Sequence, residues 1–136
     1  MHFLDCNILL YSISTDAAEA RERERAGELM DRPGGALSAQ VLGEFYAEAT
    51  RPSRPDRLDH KTAMGLAAAW MLRLKLQPVT MSLLAGAMEI AGAHGLSFWD
   101  SAIVAAARAL GCDELYSADL PHGREIDRVR IIDPFR

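Results

Sequence analysis

Short apolar runs alternate with longer amphipathic segments along this chain of 136 residues. Runs such as Phe3-Leu4 and Leu115-Tyr116 are too short for helices and have polar flanks, so they predict buried strands. The segments between them carry apolar residues at helical spacing and predict helices. Strands that alternate with helices indicate a short central, mainly parallel sheet covered by helices. The pattern therefore predicts an α/β fold.

The element boundaries follow from the same pattern. The predicted strands are Phe3-Leu4, residues 36–38, Leu115-Tyr116 and residues 129–132, with a strand-like link at Pro78-Val79. The predicted helices are a short one after Asp5, then residues 17–30, 39–50, 60–76, 81–93 and 97–110. Proline and glycine clusters at residues 33–35 and 51–55 separate helices. Because no repeat, low-complexity tract or linker is visible, we expect a single domain over residues 1–136.

The composition is that of a globular protein, with 49% hydrophobic and 25% charged residues. Residues 78–94 form the longest weakly charged stretch, which is too short and too polar to span a bilayer. The first residues lack the features of a signal peptide. Cys6 and Cys112 are far apart and have no C-x-x-C partner, so we expect reduced thiols and a cytoplasmic protein.

Four acidic residues occupy positions where a parallel α/β sheet binds ligands, namely strand ends and the helices that follow. Three of them are expected at or just after strand ends and the fourth in the helix after a strand; they are Asp5, Glu44, Asp100 and Asp119. If the strands are adjacent and parallel, these side chains converge on one rim. Clustered carboxylates cannot all stay ionised without a cation, and hard oxygen ligands select Mg²⁺ or Mn²⁺.

Each acid also has a purely structural explanation. Asp5 could cap the helix that follows it, and Asp119 could form an Asx-turn. Ser97 and Asp100 fit the S-x-x-D form of a capping box. Glu44 borders the packed face of its helix, where a carboxylate is costly unless it is paired or binds a metal.

Glu48, one helical turn after Glu44, adds like charge to that helix. We expect it to be solvated, because it lies further from the strand end than Glu44 does.

The remaining chemistry of the chain narrows the function classes. The histidines lack zinc-ligand spacing, and the chain has no Walker loop, no G-x-G-x-x-G and no G-x-S-x-G. Carboxylate–metal chemistry remains, and its common use is phosphoryl transfer to water. A net charge of −4 is unusual for a protein that binds nucleic acid, but a bound divalent cation reverses the local sign of the charge.

The assembled motifs resemble the PIN-domain family, and most closely the VapC-type toxins of prokaryotic toxin–antitoxin pairs. The matching segments cover the whole chain in order and are residues 3–11, 38–45, 96–103, 115–120 and 129–135. The resemblance implies a metal-dependent endoribonuclease whose products carry 5′-phosphate and 3′-hydroxyl ends. It also implies a small antitoxin that binds among the N-terminal helices, and a homodimer.

By this resemblance the metal site would consist of the four acids Asp5, Glu44, Asp100 and Asp119, with Asn7 and Ser117 as supporting polar groups. Many relatives carry a further acid shortly after the fourth one. Here Leu120, Pro121 and His122 follow Asp119, so we expect any second metal to bind weakly.

The densest basic run lies between two predicted helices and consists of Arg51, Arg54, Arg57 and Lys61. It is a candidate contact for the RNA backbone, and a solvated loop explains it equally well.

Two other functions are compatible with the sequence. One is a metal-dependent phosphatase for a small substrate, although Asp5-Cys6-Asn7 lacks the second acid of a D-x-D motif. The other is an inactive PIN-like domain that binds RNA or a protein without cutting.

Overall fold

A computed structural model describes all 136 residues. The strands are β1 (His2–Leu4), β2 (Gly35–Ser38), β3 (Lys75–Gln77), β4 (Glu114–Tyr116), β5 (Glu125–Ile126) and β6 (Val129–Ile132). The helices are α1 (Cys6–Ser12), α2 (Ala20–Asp31), α3 (Ala39–Ala49), α4 (His60–Arg73), α5 (Met81–His94) and α6 (Phe98–Ala109), and a 3-10 turn at Ala17–Glu19 precedes α2.

The strands form one six-stranded sheet in the order β3-β2-β1-β4-β6-β5. All neighbouring strands run parallel except the β5–β6 pair, which is antiparallel. The predicted α/β class and mainly parallel sheet are therefore confirmed. The register pairs Leu4 of β1 with Tyr116 of β4, so the residues that follow these strands emerge side by side at the carboxyl edge of the sheet.

Side-chain caps begin the helices at the positions that the sequence favours. Ser38, Thr80 and Ser97 each accept a hydrogen bond from a backbone N–H in the first turn of the following helix. Gly95 ends α5 in the left-handed conformation, with φ 70°, which a residue without a Cβ adopts at little cost. These local signals explain why most predicted boundaries agree with the structure.

The core lies on both faces of the sheet. Phe3 and Leu115 are fully buried in the central strands, and residues 101–107 of α6 are buried along the helix. Trp70 packs edge-on against Phe45, with ring centroids 4.7 Å apart, as expected for a core residue. Burial at this density fixes the helices against the sheet.

Two parts of the sequence-based prediction were wrong. The helix predicted over residues 60–76 ends at Arg73, and the strand that follows is Lys75–Gln77 instead of the Pro78-Val79 link. The apolar residues Leu74 and Leu76 fit both the helical and the strand periodicity. Residues 75–77 form a strand because they pair with β2. The short strand β5 was missed because its hairpin turn uses Asp127 and Arg128 at positive φ, without the usual glycine.

Cys6 and Cys112 are free thiols, as expected. No helix combines the length and the apolar character that crossing a bilayer would require.

Candidate active site at the carboxyl edge of the sheet

A cavity of about 600 Å³ opens at the carboxyl edge of the sheet. Its polar lining consists of Asp5, Asn7, Glu44, Glu48, Arg51, Asp100 and Asp119. All four acids singled out from the sequence therefore line one cavity, although 114 residues of chain separate the first from the last. Five carboxylates face a single guanidinium there, so the cavity is strongly acidic.

The topology of the sheet brings these acids together. Asp5 follows β1, Glu44 lies in the second turn of α3 after β2, and Asp119 follows β4. The expected position of Asp100 relative to the strands was wrong, because Asp100 follows helix α5 and not a strand. Asp100 still reaches the carboxyl edge. Helix α6 leads the chain to the start of the parallel strand β4, which lies at the amino edge of the sheet, so the first turn of α6 lies near the carboxyl edge.

Ser117 and Asn7 join the acids that follow β1 and β4. The fully buried Ser117 hydroxyl donates to Asp5 Oδ2 at 2.7 Å, and Asn7 Nδ2 lies 3.4 Å from the same oxygen. Asn7 Nδ2 also donates to Asp119 Oδ2 at 3.2 Å, while its Oδ1 accepts from the Ala118 N–H at 3.0 Å. One amide thus holds the carboxyl groups of Asp5 and Asp119 close together.

The structural explanations for the acids are met only in part. Asp5 does cap α1, because its Oδ1 accepts from the Cys6 N–H at 2.7 Å. The turn at Asp119 is made by Ser117, whose Oγ accepts from the Asp119 N–H at 3.1 Å, so Asp119 forms no Asx-turn.

The capping box at α6 is half formed. Ser97 Oγ accepts from the Asp100 N–H at 3.2 Å, but the Asp100 carboxylate returns no hydrogen bond. That carboxylate is therefore available to a ligand.

The two glutamates of α3 differ from the expected pattern in different ways: Glu44 does not border the packed face, and Glu48 is solvent-accessible but paired. Glu44 is exposed on the cavity side of α3, where its Oε1 accepts a hydrogen bond from Gln40 Nε2 at 2.9 Å. Glu48 is partly buried and forms ion pairs with Arg51 at 2.8 Å and Arg54 at 3.4 Å. The hydrogen bond from Arg51 holds the pKa of Glu48 below its usual range. Arginine at i+3 was the available sequence signal that Glu48 would be neutralised.

Sequence reasoning gave Gln40 no role, although its side chain touches the site. Gln40 Nε2 donates to Glu44 and also to the backbone oxygen of Trp99 at 3.2 Å. The i,i+4 spacing of Gln40 and Glu44 predicts the first of these bonds, and only the fold provides the second.

Burial and neighbouring negative charge raise the pKa values of two groups in the cavity, the Asp5 carboxyl and the Cys6 thiol. Asp5 is 7% exposed, and burial, with the charges of Glu44 and Asp119, raises the pKa of its carboxyl to about 6 against the hydrogen bonds from Ser117 and Cys6. Burial and the neighbouring carboxylates raise the pKa of the Cys6 thiol to about 12. Cys6 is therefore a neutral thiol and a poor metal ligand, so the cavity offers mainly oxygen donors.

The four acids carry no compensating cation from the protein. Eight ion pairs are present in the molecule, and none of them contains Asp5, Glu44, Asp100 or Asp119. No three His, Cys, Asp or Glu side chains converge closely enough to hold a metal ion by themselves. Mg²⁺ usually keeps several water ligands and takes only one or two carboxylates, so this oxygen-lined cavity fits it or Mn²⁺.

The basic run at the end of α3 is only partly available to a ligand. Arg51 and Arg54 are tied to Glu48, and Arg54 also pairs with Asp56 at 3.1 Å. Arg57 and Lys61 are exposed and form no ion pair. Contact of this run with RNA remains a prediction.

Comparisons with known proteins agree with this architecture. The PIN domain model matches residues 2–124. Among solved structures, Mycobacterium tuberculosis VapC20, a sarcin–ricin loop cleaving toxin, aligns with TM-score 0.67 and 25% identity over 88% of this chain and 92% of that one. A sequence comparison with curated proteins finds no significant match.

Two further structures share the fold at lower identity. A toxin–antitoxin complex from Klebsiella pneumoniae aligns with TM-score 0.71 and 15% identity over 98% of both chains. VapBC2 from Rickettsia felis, bound to a DNA fragment from its promoter, aligns with TM-score 0.62 and 16% identity over 96% of both chains.

Proposed function

Because the chain belongs to the PIN domain family, we propose that it is a metal-dependent endoribonuclease and the toxin of a toxin–antitoxin pair. The observation that carries this proposal is the set of four carboxylates without ion-pair partners that line one cavity. Ionised carboxylates gathered in this way repel one another, and a divalent cation relieves that repulsion.

In this proposal Asp5, Glu44, Asp100 and Asp119 would supply the carboxylates of a Mg²⁺ or Mn²⁺ site, in which the cation would take one or two of them and keep several water ligands. The bound cation would activate a water molecule and neutralise charge on the scissile phosphate. Ser117 and Asn7 orient the carboxyl groups of Asp5 and Asp119 through the hydrogen bonds described above. Water adds to phosphorus while the bond to the 3′-oxygen breaks, which leaves a 5′-phosphate and a 3′-hydroxyl.

RNA is proposed as the substrate, and the cytoplasm as the place where the protein meets it. The sarcin–ricin loop cleaving activity of the VapC20 relative supports a nucleolytic role. Arg57 lies in the loop that follows α3 and Lys61 in the first turn of α4. Both are close in sequence to Arg51, which lines the cavity, and would contact the RNA backbone.

The direct test is cleavage of RNA by the purified chain with Mg²⁺, with Mn²⁺ and with EDTA. We expect cleavage with either cation and none with EDTA. Asp5→Asn and Asp100→Asn should each lower the rate by about a thousandfold or more, because losing a metal ligand removes most of the catalysis. The matched control is Asp31→Asn, at an exposed aspartate at the end of α2. Equal cleavage by the parent chain and both site variants would contradict the proposal.

An antitoxin partner is supported by the structural neighbours, several of which are toxin–antitoxin complexes. A smaller cavity of about 210 Å³ adjoins the acidic one and shares Asn7 and Leu10 with it. We propose that the antitoxin binds here, along α1. A short reading frame that overlaps this gene upstream and encodes a DNA-binding N-terminus is expected. Its product should co-purify with this chain and suppress cleavage; a co-expressed product that leaves cleavage unchanged would argue against this partner.

A homodimer is also proposed, on the strength of the family resemblance. Light scattering of the purified chain measures its mass directly. A mass of about twice 14.9 kDa is expected, and the monomer mass over the whole concentration range would contradict it.

The alternative is a non-catalytic PIN domain that binds RNA or a protein. The observation that favours it is that no three of the acidic side chains converge closely enough to hold a metal ion by themselves. RNA binding without cleavage in both cations would support this alternative.

A further inference from the structure

One neutral side chain links Glu44 to the residue that immediately precedes Asp100. Gln40 lies in the first turn of α3, one helical turn before Glu44, while Trp99 lies in the first turn of α6, immediately before Asp100. Gln40 Nε2 donates to Glu44 Oε1 at 2.9 Å and to the Trp99 backbone oxygen at 3.2 Å. The amide uses both of its N–H groups in these bonds.

This link joins helices that otherwise pack elsewhere. Helix α3 packs mainly against α1, α4 and β2, while α6 packs mainly against α5, β2 and the last strands. Near the cavity, the bond from Gln40 to Trp99 is a direct hydrogen bond between α3 and the start of α6. The Gln40 side chain therefore connects the helix that carries Glu44 to the start of the helix that carries Asp100.

The chemistry of an amide suits this place. An exposed glutamate loses rotamer freedom when it is fixed, so a free Glu44 side chain would bind a cation weakly. A lysine or arginine at position 40 would fix Glu44 but would also neutralise it and compete with the cation. The glutamine amide holds Oε1 without removing the negative charge, and Oε2 accepts no other hydrogen bond from the protein.

We propose that Gln40 is a positioning residue, which orients Glu44 and sets its distance from Asp100 so that both carboxylates serve the same divalent cation. This inference rests on the proposed metal-dependent function. An ordinary i,i+4 surface pair would account for the Glu44 bond alone, and the second bond to Trp99 distinguishes the two explanations.

The test measures Mn²⁺ affinity by electron paramagnetic resonance, together with RNA cleavage. Gln40→Leu removes both hydrogen bonds at a partly exposed helical position, and we expect the Mn²⁺ dissociation constant to rise about tenfold. The RNA concentration at half-maximal rate should change little, because Gln40 acts through the metal. The matched control is Gln77→Leu, since Gln77 donates only to the backbone oxygen of its neighbour Pro78. That control should bind Mn²⁺ as the parent does.

A double-mutant cycle identifies the path of the effect. In a Glu44→Gln background, Gln40→Leu should change Mn²⁺ affinity no further. An undiminished tenfold loss in that background would overturn the proposal, because Gln40 would then act elsewhere. Parent-like Mn²⁺ affinity in both Gln40→Leu and the helix-compatible Gln40→Met would also overturn it.

The two proposals fail in different ways. Parent-like affinity in the Gln40 variants, with cleavage still lost in Asp5→Asn, refutes the role of Gln40 and leaves the nuclease proposal intact. A parent chain that binds no Mn²⁺ refutes both the metal-dependent function and the role of Gln40.

Discussion

Tyr116 and Ser117 are neighbours in the chain, yet their side chains belong to polar clusters that are built in opposite ways. Tyr116 belongs to the Arg32 cluster, which comprises Arg32, Glu114 and Tyr116. The Arg32 guanidinium donates to Tyr116 Oη at 3.0 Å and to Glu114 Oε1 at 2.9 Å, and the Tyr116 hydroxyl donates to Glu114. Every charge in this cluster has an opposite partner.

Ser117 belongs to the acidic cavity, where charge is not balanced. Its hydroxyl serves Asp5 and two backbone N–H groups, but no cation of the protein reaches Asp5. The pKa values report the contrast. The bonds from Tyr116 and Arg32 lower the pKa of Glu114, whereas burial and neighbouring carboxylates raise that of Asp5 to about 6.

Two adjacent residues, one in β4 and one directly after it, therefore belong to a cluster that stabilises the fold and to a site that serves function. A satisfied polar cluster stabilises the fold, and an acidic cluster without a cation destabilises it by repulsion and desolvation. Functional sites are where such a cost is tolerated, because a ligand relieves it. The contrast between the Arg32 cluster and the acidic cavity can be tested by changing matched residues in each.

The largest expected effect compares Ser117→Ala with Tyr116→Phe. Ser117→Ala removes the hydroxyl that orients Asp5, so RNA cleavage should fall by about 10- to 100-fold, the usual cost of losing a group that orients a metal ligand. Tyr116→Phe should leave the cleavage rate within about twofold while lowering the free energy of unfolding by about 1 kcal/mol. Rates are compared after urea unfolding confirms that both variants are folded. Equal rates for the two variants would contradict the comparison.

Stability should change in opposite directions at Asp5 and Glu114. Asp5→Asn removes a buried charge and should raise the free energy of unfolding in EDTA at about pH 8 by about 1 to 3 kcal/mol. Glu114→Gln removes a charge with satisfied partners and should lower it by about 1 kcal/mol. Urea unfolding of both variants against the parent measures the two values, and a destabilised Asp5→Asn chain would show that the Asp5 carboxylate is not under strain.

The pH dependence gives the sign of the Asp5 effect independently. The pKa of Asp5 in the folded chain is about 6, above the ordinary value of 3.8, so ionisation costs stability as pH rises between these values. The advantage of Asp5→Asn should be complete above about pH 6 and absent below pH 3.8, where the carboxyl is protonated in both states. An advantage that is constant with pH would assign it to packing.

A divalent cation should offset part of the cost in folding stability that the acidic cavity carries and the Arg32 cluster does not. Binding to the folded chain alone stabilises it, by about 1.4 kcal/mol for about 10 mM Mg²⁺ and a dissociation constant of about 1 mM. The Glu114→Gln chain should gain as much as the parent, and the Asp5→Asn chain much less. Thermal unfolding with and without Mg²⁺ measures the gain. Equal gains in all three chains would indicate nonspecific binding.

Sequence signals of short range predicted most of the fold and the members of the site. The run Phe3-Leu4 followed by Asp5 gives both a buried strand and the acid at its end, and Ser97 gives the start of α6 together with Asp100. The parallel strands then bring Asp5 to the carboxyl edge of the sheet, and Asp100 reaches the same edge because α6 leads the chain to the start of β4. The same signals failed at Leu74-Lys75-Leu76, where a helix and a strand fit equally well and pairing with β2 decides.

Contacts between residues that are distant in the chain could not be predicted from the sequence. Arg32 meets Glu114 across 82 residues and Gln40 meets Trp99 across 59, and neither spacing carries a periodic signal. The environment of Glu44 was wrong for a related reason, because the apolar stripe alone does not show on which side a cavity opens. Arginine at i+3 and i+6 from Glu48 was visible in the sequence, however, and would have predicted the ion pairs of that residue.

The contrast between paired and unpaired charge extends to the arginine side chains, and the smallest effect is expected there. Arg54 is held by Glu48 and Asp56, whereas Arg57 has no partner. Arg57→Glu should therefore weaken RNA binding by about two- to fivefold and lower the salt slope of the affinity by about one, as for loss of one phosphate contact. Arg21→Glu, at another exposed arginine without an ion pair, is the control. If Arg57→Glu changes neither the RNA affinity nor its salt slope, Arg57 contacts no phosphate, and the loop that carries it is simply solvated.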